Sequence, residues 1–264
     1  MKHPHIGPGP AGPSAPGGHG TAPVRPAGEA GPGVPLSIWP DLPAPHGGDG
    51  PGQCAGPVTV RAAARIVAAF SRPGDLVAAP DGSAAVIEAA AGAGRRVLAL
   101  IPARGPGAPA GPRARPDPAV RLRPGGPDLL LAPGDPDAGQ AALAITGCCG
   151  GPEPGGEDAD GLRAGLLYAA CERVLRPGGL LAVITANPGP GGEPGDLAGH
   201  AVAAARAAGL VYAQHIVLVH AAIRDDQLAP DPAVTASAGL PGGFRVHSDL
   251  LVFTKLPGGT TRND

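Results

Sequence analysis

Aromatic residues are almost missing from this chain, with one Trp, two Tyr and three Phe among 264 residues. Any core must be assembled from Ala, Val, Leu and Ile, whose small side chains each remove little apolar area from water. Lysine occurs only as Lys2 and Lys255, no long basic run exists, and the net charge is −2, so no sequence-independent grip on duplex DNA is signalled. No apolar stretch reaches the roughly 18–20 residues that span a bilayer. The start, Met1-Lys2-His3-Pro4, lacks the apolar core of a signal peptide. The four cysteines, Cys54, Cys148, Cys149 and Cys171, form no C-x-x-C pair. The expectation is a reduced, cytoplasmic protein with no membrane partner, no bound metal and no disulfide framework.

What the chain does have is 45 Gly and 36 Pro beside 43% hydrophobic residues. Glycine does not recur every third residue, which excludes collagen. The excess of Ala, Gly, Pro and Arg over Lys is the footprint of a GC-rich coding sequence. Residues 1–35 carry almost no large apolar side chain and read as a disordered Gly/Pro-rich tail. His3, His5 and His19 within it have neither regular spacing nor acidic partners. One folded domain is expected over 36–256, with flexible insertions at 102–118 and 133–160 and a short tail at 257–264.

Leu36-Ser37-Ile38-Trp39 is a small apolar patch, read as an edge strand or a docking segment, with Trp39 as a core anchor. Val60, Ala64, Val67 and Phe70 recur at helical spacing, predicting a helix over 59–70. A turn at 72–75 leads to a strand at 76–79, a loop at 80–83, an Ala-rich helix at 84–91 ended by Gly92 and Gly94, and a strand at 97–101 stopped by Pro102. Ala119–Leu122 is a short strand. Asp128–Ala132 reads as a further strand beside that at 76–79. The run from Pro133 to Asp160 reads as loop, broken only by an apolar turn at 143–145. A helix at 161–175, a turn at Arg176-Pro177-Gly178-Gly179, a strand at 180–185, a helix at 196–208 and strands at 210–219 and 250–254 complete the pattern. Alternating strands and helices predict an α/β sandwich, mostly parallel, with an antiparallel final strand.

The run Val174-Leu175-Arg176-Pro177-Gly178-Gly179-Leu180-Leu181-Ala182-Val183 resembles the helix–turn–strand before the fifth strand of class I S-adenosylmethionine-dependent methyltransferases. Three further stretches, Pro35–Trp39, Phe70–Val77 and Asp128–Pro133, are similar to segments of the actinobacterial branch of the N4/N6 amino-methylating DNA methylases. Together the four anchors span about residues 36–256. The resemblance implies a Rossmann-like class I methyltransferase sandwich, S-adenosylmethionine as cofactor, and methyl transfer to an exocyclic amine of DNA or RNA.

That family places a donor-binding loop after its first strand, which falls here on Pro80, Asp81, Gly82 and Ser83. Asp81 then stands one position from the usual acid and faces the donor's ammonium; in the plainer reading, Asp81 and Ser83 cap the following helix. The second strand, which should end in an acid for the ribose hydroxyls, ends Leu100-Ile101-Pro102, and Arg121-Leu122-Arg123-Pro124 offers no acid near the adenine. The family's catalytic loop, a polar residue followed by Pro-Pro and an aromatic, falls on Ala132-Pro133-Gly134-Asp135. Pro133 and Asp135 are its candidate catalytic residues, with Asp135-Pro136-Asp137 as a slipped version of the motif. Ala132 cannot accept a side-chain hydrogen bond and Asp135 cannot stack on a base, so weakened or lost activity is expected, or a non-catalytic binding module of the same fold. Arg113, Arg115, Arg121 and Arg123 read as phosphate contacts or solvated linker charges. His200, His215, His220 and His247 lack metal-ligand spacing.

Overall fold

In the computed structural model, residues 34–40, 58–101, 118–148, 157–185, 196–224, 227–229 and 247–257 are described. Their elements run β1 (Leu36–Trp39), α1 (Val60–Phe70), β2 (Leu76–Ala79), α2 (Ala84–Gly92), β3 (Arg96–Ile101), β4 (Val120–Pro124), a 3-10 helix (Pro127–Leu131), β5 (Ala141–Cys148), α3 (Glu157–Val174), β6 (Leu175–Thr185), α4 (Leu197–Ala207), β7 (Val211–Val219), the hairpin β8 (Ala222–Arg224) and β9 (Gln227–Ala229), and β10 (His247–Thr254). Most of the tails at 1–35 and 257–264 and of the insertion at 102–118, with Cys54, Arg113 and Arg115, lie outside the described residues.

Eight strands form one sheet in the order β1-β7-β10-β6-β5-β2-β3-β4. Neighbours are parallel except β10, which is antiparallel to both β6 and β7. This is the expected Rossmann-like sandwich with an antiparallel final strand. Side chains alternate across the sheet. Val77, Ala79, Val97, Ala99, Leu143, Ile145 and Ile184 pack under α1 and α2. Leu76, Ala78, Leu98, Leu100, Ala144, Leu181, Val183, Leu251 and Phe253 pack under α3 and α4. Thr59 caps α1 through its Oγ1, which accepts from the Ala62 amide at 3.1 Å. β1 is the edge strand that its apolar patch suggests, and Trp39 stacks on Phe70 with ring centroids 6.1 Å apart.

One expectation is overturned. Asp128–Ala132 is not a strand beside β2; residues 127–131 form a 3-10 helix with Pro127 at its start and only Leu130 buried. Proline fits the first turn of a helix, where its missing N–H costs nothing. β2 pairs instead with β5, Ala141–Cys148, inside the stretch read as loop. β5 lies in the middle of the sheet, and Ala141–Ile145 are all buried. A strand covered on both faces needs a continuous apolar run rather than alternation. Alanine is a poor strand former, which is why this run reads as a turn.

Asp135 and Asp137 lie before β5 and hold the other edge strand. Asp135 Oδ2 accepts from Arg123 at 2.7 Å, Asp137 Oδ2 accepts from the same guanidinium nitrogen at 3.0 Å, and Asp137 Oδ1 accepts from Arg121 at 2.5 Å. Burial pushes the Asp135 carboxyl upward, but the Asp137 amide and the Arg123 guanidinium, with Arg173 nearby, more than offset it and hold it below the ordinary carboxylate value. A depressed carboxylate stabilises the fold above its unfolded pKa and loses that contribution as pH falls through the folded one. In urea titrations, the midpoint difference between wild type and Asp135→Asn should therefore be full at pH 7 and shrink below about pH 4; a constant difference would contradict the assignment.

Candidate functional site

In open parallel sheets, ligands bind at the carboxyl ends of the strands where the strand order reverses. Here that point lies between β2, which leads outward to β3 and β4, and β5, which leads the other way to β6. Asp81 stands there, directly beyond β2. Its Oδ1 accepts from the Ser83 amide at 3.1 Å, and its Oδ2 accepts from the Thr146 hydroxyl at 3.1 Å and the Gly147 amide at 3.0 Å. The carboxylate is thereby fixed across the switch point while the residue stays exposed, and no described Lys, Arg or His pairs with it. Gly82 makes the turn at φ +70°, a backbone conformation that side chains disfavour. Its amide bonds to Ala79 O at 3.0 Å.

The helix-capping reading of Asp81 and Ser83 is met in part. Ser83 occupies the N-cap position of α2 without a side-chain cap, while Asp81 holds the Ser83 amide through Oδ1 and reaches across to β5 through Oδ2. Pro80 is buried beneath the turn. The four residues Pro80, Asp81, Gly82 and Ser83 are thus brought together at the switch point.

Pro133 and Asp135 are not. The Gly139 amide bonds to Arg173 O at 2.9 Å, and Arg173 bonds to Ala132 O at 3.1 Å. Arg173 ends α3 just before β6 begins, so this segment sits at the amino edge of the sheet. The length of β5 from Ala141 to Gly147, about 20 Å at 3.3 Å per residue, separates it from Asp81. Pro133 is exposed, and the Asp135 carboxylate is occupied by Arg123. The loop that follows β5 begins after Cys148, and residues 149–156 lie outside the described residues.

Polar side chains divide between the two edges. At the amino edge, ion pairs close the sandwich: Arg176 with Asp75 at 3.2 Å, and Lys255 with Glu172 at 3.0 Å. At the carboxyl edge, buried Thr146, Thr185, Ser248 and His220 lie at the near ends of four adjacent strands, β5, β6, antiparallel β10 and β7. His220 Nε2 lies 2.9 Å from Ser248 Oγ, and His215 Nε2 lies 2.9 Å from Asp249 Oδ1. Sequence reasoning passed over Thr146, Thr185 and Asp249. The only signal for the two threonines is a hydroxyl directly after an apolar run, in Ile145-Thr146 and Ile184-Thr185, and Asp249 carries none. Cys171 is buried, and burial, then the Asp81 charge, push its thiol up, which leaves it inert as a nucleophile. No group of three His, Cys, Asp or Glu with metal-site geometry occurs among the described residues.

No family model and no curated protein matches the chain. Solved structures do. A TehB-like S-adenosylmethionine-dependent methyltransferase from Corynebacterium glutamicum is 17% identical over 75% of this chain and 88% of its own, with a TM-score of 0.42. The geranyl diphosphate C-methyltransferase of Streptomyces coelicolor, solved with geranyl diphosphate and S-adenosyl-L-homocysteine, is 17% identical over 74% and 78%, TM-score 0.44. The 1,6-didemethyltoxoflavin-N1-methyltransferase of Burkholderia thailandensis is 18% identical over 75% and 78%, TM-score 0.42. These S-adenosylmethionine-dependent methyltransferases are what the chain is similar to; its own strand order defines its fold.

Proposed function

We propose that the chain binds S-adenosylmethionine across the carboxyl ends of β2 and β5 and serves methyl transfer to a small protic acceptor. The observation that carries this reading is Asp81: a carboxylate fixed by three donors at the switch point, exposed, and without a basic partner among the described residues. Such a preorganised anion suits the cationic amino-acid end of the donor. When bound, S-adenosylmethionine supplies an electrophilic methyl group on a sulfonium centre. The chain's contribution is to hold and orient. Asp81 takes the ammonium, and Gly82 lets the turn approach without a Cβ.

The fit is incomplete at the ribose. β3 ends Leu100-Ile101-Pro102 without a carboxylate, and a missing charged hydrogen bond weakens binding by roughly 1.5–3 kcal/mol, about ten- to a hundredfold. A weakened donor site is the expected state. The exocyclic-amine acceptor implied by the sequence segments has less support. After β5 the sequence reads Cys149-Gly150-Gly151-Pro152, with no Pro-Pro-aromatic run, and no aromatic stands between Phe70 and Tyr168. Arg121 and Arg123 are held by Asp135 and Asp137 instead of being free for phosphate.

A non-catalytic module of the same fold is the second reading. It is favoured by the Gly82 and Ser83 amides, already bonded to Ala79 O and Asp81 Oδ1. Calorimetric titration separates the two. Saturable binding of S-adenosylmethionine, weakened tenfold or more by Asp81→Asn, is the expected result. Heats no larger than dilution at millimolar donor would leave the non-catalytic module standing. Methylation of a single-stranded oligonucleotide by the wild type would restore the nucleic-acid acceptor.

A further inference from the structure

Beyond the donor site, a second row of polar groups continues along the same face of the sheet. Thr146, which bonds to Asp81, lies on the α3/α4 face of β5. On that face Thr185 ends β6 and stands directly opposite Asp249 of β10, so their side chains are about 5 Å apart. Asp249 reaches His215 of β7 at 2.9 Å. Thr185 is only 2% exposed, yet its hydroxyl bonds to no described residue. Asp249 uses Oδ1 for His215, and Oδ2 has no described partner. A nearly enclosed threonine whose hydroxyl has no described partner and a half-used carboxylate, side by side at a strand end, leave hydrogen-bonding capacity that a ligand can take up. The side chains of Asp249 and His215 are 18% and 31% exposed, so the pair is reachable from solvent.

The far wall of this row is apolar. Leu36 of β1 lies opposite His215, and Ile38 lies opposite Val217. Both are on the same face, and they are the two most exposed large hydrophobics among the described residues, at 66% and 61%. A carboxylate about 10 Å across β7 from two bare aliphatic side chains matches a cationic or protic nitrogen carried on an apolar body.

We propose that Thr185, Asp249 and His215, walled by Leu36 and Ile38, form a binding site for an amine-bearing small molecule with an apolar body. Asp249 Oδ2 accepts from the amine, Thr185 meets it from β6, and His215 fixes the carboxylate. On the reading that the donor lies at Asp81, this site holds the methyl acceptor, since Thr146 and Thr185 sit on adjacent strands between the two. The site itself does not require the donor.

The test uses the full chain without donor. 2-Phenylethylamine is titrated while the imidazole resonances of His215 are followed by NMR. A saturable shift is expected for His215. Asp249→Asn and Thr185→Val should each weaken binding, the first by tenfold or more, with far-ultraviolet circular dichroism unchanged. Ile38→Ser, on the exposed strand, should weaken 2-phenylethylamine but leave the weaker binding of ethylamine unaltered. An unmoved His215 in the wild type, or equal affinity in folded Asp249→Asn, would overturn the proposal. Because donor affinity is measured separately through Asp81→Asn, failure here leaves the donor site standing, and failure there leaves this one.

Discussion

Alanine at Phe253 is expected to lower the free energy of unfolding by about 3–5 kcal/mol. Phe253 is fully buried on β10 and packs against Tyr212, with ring centroids 5.2 Å apart. The helix above it supplies Ala201 and Ala205 to the same core, and neither is long enough to fill the gap. A chain with three Phe concentrates its large side chains at few positions, so the cavity is not absorbed by neighbours. Against a total stability of about 5–15 kcal/mol, this loss takes a large share of the margin. Urea denaturation measures this as a fall in midpoint at constant slope. Phe253→Leu should lose less than half as much. Equal, small losses in both would mean that the α3/α4 core is loosely packed.

The second large effect is expected at Gly179, in the Arg-Pro-Gly-Gly segment. A Cβ there would stand 2.8 Å from Arg176 O, 2.9 Å from Ala141 O and 3.1 Å from Leu175 Cδ2. The two oxygens are backbone atoms of the central strands β6 and β5, and neither can move without opening the ladder between them. Gly179 O also accepts from the Lys255 amide at 3.0 Å, tying β10 to the same spot. Gly179→Ala should cost about 2–3 kcal/mol by overpacking. Its neighbour Gly178 has φ +74° and open space around it, so Gly178→Ala meets only the left-handed backbone penalty of about 1–2 kcal/mol. The order of the two losses is the diagnostic. A tolerated Gly179→Ala beside a damaging Gly178→Ala would contradict the close approach.

Much of the sheet was legible because its strands announce themselves. Leu76–Ala79 and Arg96–Ile101 are short apolar runs bounded by turns, and α1 between Thr59 and Ser71 carries its own cap. The strand that organises the site was not legible. Ala141–Cys148 is built from small residues, while Asp128-Leu129-Leu130-Leu131 has the stronger apolar signal and becomes a 3-10 helix after Pro127. That exchange decided the fate of the candidate residues. Pro80 to Ser83 follow a correctly read strand and arrive at the switch point. Pro133 and Asp135 follow a segment that is no strand, and they arrive at the opposite edge. The partners of Asp81 were invisible for a related reason. Thr146 and Gly147 lie 65 and 66 residues away in sequence, and only the pairing of β2 with β5 brings them to the carboxylate.

The most direct test of where the ligand sits is an amide NMR titration with S-adenosylmethionine. The account predicts saturable shifts at Ser83, Thr146 and Gly147, the groups that surround the Asp81 carboxylate, with Asp135, Asp137 and Gly139 unmoved. Shifts confined to the segment around Asp135, with the Asp81 turn silent, would contradict it.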